Sequence, residues 1–138
     1  MDVAYRIIHK AQKYGVPGAA SFLAAAPPEQ FVGWLARVPI TSKIGEPVLV
    51  FVRDPENWSF LATGGIGGFT SGEYREIAYP QVASINGFPP DNVPRRKREL
   101  SSLSVSTEEG TLDFETSAGE DLFALWNLLR KISWPLRK

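Results

Sequence analysis

The chain contains no cysteine, and that absence removes disulfide bonding, thiolate catalysis and cysteine-ligated zinc at once. A cysteine-free chain suits a reducing compartment. Histidine occurs once, at His9, so a metal site would need carboxylates for nearly all its ligands. Neither sign of charge is in excess: 15 basic residues meet 15 acidic ones, and no global field draws the molecule to nucleic acid. No apolar run approaches the roughly 18 residues of a membrane-spanning helix. The opening, Met1 to Arg6, lacks the basic start and apolar core of a secretory leader, so a soluble, cytoplasmic protein is expected.

What is present fits one domain with a short extension, since 138 residues lie within the usual domain range. Four Trp, eight Phe and four Tyr make the expected core rich in aromatic rings. Residues 1–44 carry Arg6, Lys10, Lys13, Arg37 and Lys43 against Asp2 and Glu29. That is five against two, a net of +3, and the remainder nets −3. The asymmetry is small but lets the two parts attract each other.

The pattern changes near residue 44. Before it, Val3, Ile7, Ala11 and Tyr14 recur at helical spacing, with Ala4 and Ile8 widening the stripe and Gly15 stopping it. Residues 19–26 read as a short alanine-rich helical turn. Pro28 then suits the start of a helix whose apolar face is Phe31, Trp34, Leu35 and Val38. These readings make residues 1–44 an N-terminal helical extension.

Beyond residue 44 the period becomes two. Pro47 to Arg53 reads as a buried strand, and Trp58 to Thr63 as a second with Trp58, Phe60 and Ala62 on one face. The glycine run Gly64 to Gly68 is expected to bend or bulge the backbone. Tyr74 to Tyr79 and Gln81 to Asn86 follow as strands parted by Pro80. Phe88 to Arg98 is a proline-rich connection. Leu100 to Thr107 and Thr111 to Thr116 form a hairpin about Glu109-Gly110, with Leu112 and Phe114 inward and Asp113 and Glu115 outward. The closing helix carries a Ser117–Glu120 capping box and an apolar stripe of Leu122, Leu125, Trp126, Leu129 and Ile132, and it ends before Pro135.

Short strands followed by one amphipathic helix define an α+β class in which the helix covers the mouth between curled antiparallel sheets. The segments WSFLATGGI from Trp58, REIAYPQVASI from Arg75 and LSVSTEEGTLDF from Leu103, followed by the helix, resemble a bacterial PH-like (pleckstrin-homology-like) domain over about residues 45–133. The resemblance implies a PH-like curled antiparallel β-barrel or sandwich capped by a C-terminal helix, within a domain spanning 45–138. It further implies binding of lipids, peptides or proteins, or an architectural role. Lipid-binding PH domains carry a basic cluster in the first strand–loop–strand unit. Here that loop is Arg53-Asp54-Pro55-Glu56-Asn57, with two acids and one base, which argues against phosphoinositide binding.

Several residues could carry chemistry. The glycine run lacks the helix and the Lys-Ser/Thr pair of a phosphate loop. Arg95, Arg96, Lys97 and Arg98 could grip an anionic membrane lipid or a phosphate-bearing ligand, although a solvated loop is the plainer account. No aromatic residue interleaves with them, which speaks against nucleic acid. His9 lies beside Arg6 and Lys13 on the polar side of its helix, with no orienting acid in view. The acids Glu108, Glu109, Asp113, Glu115, Glu120 and Asp121 cluster late and read as a solvated face, or as an acidic surface for a basic partner. Phe31, Trp34 and Leu35, with Trp134, form the expected partner-binding surface. The sequence therefore points to a non-catalytic binding or scaffold protein without cofactor, contacting a protein partner or itself as a homo-oligomer.

Overall fold

The computed structural model describes residues 3–15, 21–39, 41–86, 102–116 and 120–133. Helix α1 (Val3–Ala11) runs into a 3-10 turn at Gln12–Tyr14 and stops at Gly15, whose φ of 74° is the left-handed closure glycine makes without strain. The strands are β1 (Ser21–Leu23), β2 (Pro47–Asp54), β3 (Asn57–Ala62), β4 (Gly65–Thr70), β5 (Glu73–Ala78), β6 (Ser84–Asn86), β7 (Ser102–Thr107) and β8 (Gly110–Glu115). Helix α2 (Glu120–Ser133) ends the described chain.

Two antiparallel sheets result. Strands β1 to β5 form one in sequential order, and β6 to β8 the other. They do not join into a closed barrel: among the described residues β5 and β8 remain edge strands. The α+β class with a C-terminal helix is as the sequence implied.

Alternation along the five-stranded sheet gives it two apolar faces. Leu49, Phe51, Leu61, Ile66 and Ile77 point to one side, where Leu103, Val105 and Phe114 of the smaller sheet meet them. The same core takes Ile7 and Ala11 from α1 and Leu125, Leu128, Leu129 and Ile132 from α2. α2 rests on β6 and β7, and α1 lies against both α2 and β2. Burying each of those large side chains stabilises the fold by about 1.5–3 kcal/mol.

Val50, Val52, Trp58, Phe60 and Phe69 point to the opposite side, where Phe22, Ile44 and the half-buried Phe31, Trp34, Leu35 and Val38 cover them. The sheet is thus the middle of three layers.

Four sequence expectations are corrected. The alanine-rich stretch contributes strand β1, pairing Phe22 with Val50, because a free edge of β2 outweighs a weak helical preference. The expected helix around Phe31 to Val38 is a pair of 3-10 turns, Glu29–Phe31 and Leu35–Arg37. Only Gly64 of the glycine run lies in a bend; Gly65 to Gly68 are strand. A Cβ would collide with the Ile77 carbonyl oxygen at Gly65 and with the Trp58 carbonyl oxygen at Gly68, and at Gly67 it would lie 2.6 Å from the Phe60 ring. Close packing, not turning, is what those glycines permit. Glu115 is buried, at 7% exposure, while Asp113 two residues away stays exposed. The outer side of β8 runs onto Arg53 and Ser59 of the larger sheet at that point.

Candidate functional site

Among the described residues, a concave feature of the surface lies where the two sheets stay apart. Its volume is ≈ 580 Å³. One wall is formed by residues 76–77 and 80–83, the other by 107–112.

The first wall is fixed by a 3-10 turn, Tyr79–Gln81, which the Pro80 ring suits. Tyr79 is buried and donates its hydroxyl to the Ala62 carbonyl at 2.6 Å. Burial raises its pKa above the usual phenol range, so that hydroxyl stays protonated. Gln81 Oε1 accepts the Ala78 N–H at 3.1 Å, and Val82 enters the core. The second wall is the β7–β8 hairpin. Thr107 Oγ1 accepts the Glu109 N–H at 3.1 Å, Gly110 has a φ of 142°, and the Ser106 and Thr111 hydroxyls meet at 2.9 Å across the strands. Glu108 and Glu109 stand exposed on this rim, and among the described residues no basic side chain lines the groove.

Both walls present strand edges. The Tyr79 N–H bonds to the Gly64 carbonyl at 3.0 Å, so Tyr79 and, by alternation, Ile77 and Arg75 bond toward β4. The peptide groups of Glu76 and Ala78 therefore face outward, and Gln81 has already taken the Ala78 N–H. On β8, Thr70 and Ser59 hydroxyls donate to the carbonyls of Asp113 and Glu115, at 3.0 and 2.8 Å. The same alternation turns the Thr111 peptide outward at the groove.

The Glu76 side chain turns to the opposite face. Its carboxylate accepts the Tyr74 hydroxyl at 2.7 Å and the Lys43 N–H at 3.0 Å, and Ser42 Oγ lies 3.2 Å from the same hydroxyl. Burial works to raise the Glu76 pKa, yet these hydrogen bonds outweigh it and the net shift is downward. Tyr74 is pushed well above the ordinary phenol value, mainly by burial. A phenol held protonated beside a carboxylate is a clasp tying Ser42 and Lys43 to β5.

Of the residues singled out in the sequence, Phe31, Trp34 and Leu35 come together, but against the chain's own sheet. Phe31 stacks on Phe22 with centroids 5.1 Å apart, and Trp34 lies 5.5 Å from Trp58. Arg37 caps the cluster, its guanidinium 4.7 Å above Phe69 and bonded to the Pro55 carbonyl. Trp58 Nε1 is buried without a hydrogen-bond partner among these rings. His9 is exposed and stacks on Tyr5 at 5.7 Å. Arg95, Arg96, Lys97, Arg98, Trp134 and the Ser117–Glu120 cap lie outside the described residues, or have side chains that do. Among the described residues no group of three or more acids or histidines is placed to hold a metal ion, and no helix is long and apolar enough to cross a membrane.

The groove has no signature in the sequence. Glu108 and Glu109 were visible as part of an acidic run, but the outward peptide of Glu76 leaves no mark on composition or periodicity. No family model matches the chain, and no curated protein or solved structure matches it.

Proposed function

We propose that this chain is a PH-like binding module that makes contacts with protein partners or with a second copy of itself, and that it performs no catalysis. The observation carrying this reading is the order of elements. A four-stranded meander, β2 to β5, is followed by a three-stranded meander, β6 to β8, and then by one helix. That order suits the PH-like resemblance, with β1 added at one edge.

The electrostatics of the first strand–loop–strand unit favour a protein contact over an anionic headgroup. Asp54 accepts the Glu56 N–H at 2.9 Å and the Asn57 amide at 3.0 Å. Slight burial opposes these bonds, but they prevail and hold the Asp54 carboxyl below its usual range. Arg53, the one base of the unit, is engaged with Glu115. The unit therefore presents negative charge where a phosphate-binding loop needs donors.

Light scattering across a range of concentrations, combined with affinity capture from lysate and a denatured-bait control, tests the proposal. Concentration-dependent association or specific capture is expected. A strict monomer that retains nothing above the control refutes it.

A further inference from the structure

We infer that the groove between β5 and β8 binds an extended, basic segment of a partner protein, which adds to β5 as a further strand at Glu76. This inference rests on the protein-contact function proposed above and names its surface and its ligand class.

Three observations converge. Among the described residues β5 is an edge strand whose outward peptide at Glu76 opens into the groove, and such an edge is a template for an added strand. Its neighbouring outward N–H, at Ala78, is already closed by Gln81, so pairing has a defined end. The facing edge is closed at Asp113 and Glu115 by hydroxyls of the other sheet and open at Thr111, which gives the incoming chain a second wall.

Charge then selects the ligand. Glu108 and Glu109 are exposed at the rim, Asp113 lies exposed just beyond, and among the described residues no cation lines the cavity. Arg75, two residues from Ile77 on β5, lies 3.7 Å from Glu73. A lysine- or arginine-bearing strand meets this rim favourably, whereas an acidic strand is repelled. Ile77, Val82 and Leu112 supply the apolar floor for alternate side chains.

The test uses the full chain and a short peptide alternating lysine and valine. Calorimetry at low and high salt measures binding, and amide exchange reports on Glu76. Binding that weakens with salt, slowed exchange at the Glu76 N–H, and loss of binding when a central residue of the peptide becomes proline are expected. Glu108→Lys with Glu109→Lys should weaken binding by about tenfold or more. A melting curve shows whether that variant is folded, and Glu108→Gln with Glu109→Gln gives a milder step in the same direction.

Equal binding of a glutamate–valine peptide, absence of binding, or binding that leaves Glu76 unprotected overturns the inference. So does a homodimer that the charge-reversed variant dissociates, because the occupant is then a second copy. A chain that fails these tests yet still captures partners loses this surface and keeps the broader function.

Discussion

Replacing Arg53 by methionine isolates the contact that locks the end of the smaller sheet onto the larger one. Arg53 bonds the Glu115 carboxylate, and the two side chains are 43% and 9% exposed. Burial is the largest influence on Glu115 and raises its pKa; Arg53 opposes this by charge and hydrogen bond, while Asp113 and Asp54 reinforce it. Methionine keeps much of the arginine stem's bulk but removes the cation. A buried carboxylate left without its partner costs about 1–3 kcal/mol, and the large exposure of Arg53 places the effect in the lower half of that range. With a urea slope of about 1.5 kcal/mol/M, a loss of about 1.5 kcal/mol moves the midpoint down by roughly 1 M.

The pH dependence has a definite sign. A carboxyl whose folded pKa lies above its unfolded one contributes stability that is present below the unfolded value and lost as pH rises through the folded value. Removing Arg53 raises the folded value further. The gap between wild type and Arg53→Met should therefore be small in acid and widen as pH climbs past the wild-type Glu115 pKa. On a Glu115→Gln background, Arg53→Met should cost within about 0.5 kcal/mol at any pH, because an amide needs no cation. Urea unfolding followed by tryptophan fluorescence, repeated from acid to neutral pH across the four proteins of the cycle, measures all of this. A loss that is the same in acid as at neutral pH, or that persists once Glu115 has been replaced by glutamine, refutes the account of a cation compensating a buried charge.

Three further outcomes follow from packing and hydrogen bonding. Gly68→Ala should cost about 1–3 kcal/mol, since its Cβ would meet the Trp58 carbonyl and, at 2.8 Å, the Ser59 Cα, both of them backbone; Gly33→Ala, with nothing within 4 Å, should stay within about 0.5 kcal/mol by the same urea assay. Tyr79→Phe should lose about 1–2 kcal/mol, because the buried Ala62 carbonyl then has no hydroxyl to accept, and calorimetric melting reads the loss. Glu76→Gln should flatten the fall in stability on acidification: the folded pKa of Glu76 is lowered, so its contribution is present above the unfolded pKa and disappears as pH drops through the folded one, which urea midpoints taken across acid pH measure.

Much of the fold was legible because periodicity records burial directly. β2, β3, β5, the β7–β8 hairpin and α2 lie close to where alternation or the helical stripe placed them. The features that periodicity does not record depend on which layers meet. Alternation assigned Asp113 and Glu115 to one face correctly, but nothing local told that a second sheet covers only Glu115. The run Gly64 to Gly68 is chemically the same whether it bends a chain or lets two strands approach, and only the Phe60 ring and the Trp58 carbonyl decide. Ser21 to Leu23 has too few residues to show any period, so its strand exists only through β2. The groove is harder still, because it is built from peptide groups of Glu76 and Thr111 whose direction is set by register.

The segment before residue 44 has a consequence for how the middle sheet can work. A meander with one covered face would alternate apolar and polar residues, yet β2 is buried continuously from Val48 to Val52, and β3 from Trp58 to Ala62. Those strands are apolar on both faces, and the second face needs a lid of its own. Phe31, Trp34 and Leu35 provide it, held by Arg37 on Pro55 and by the Ser42–Tyr74–Glu76 clasp. Their half-covered aromatic surface is therefore committed first to the sheet, and a partner engaging it would compete with Trp58 and Phe22. Among the described residues, the β5 edge carries no such prior engagement at the Glu76 peptide. Of the two surfaces, that edge can accept a partner without displacing part of the chain's own core.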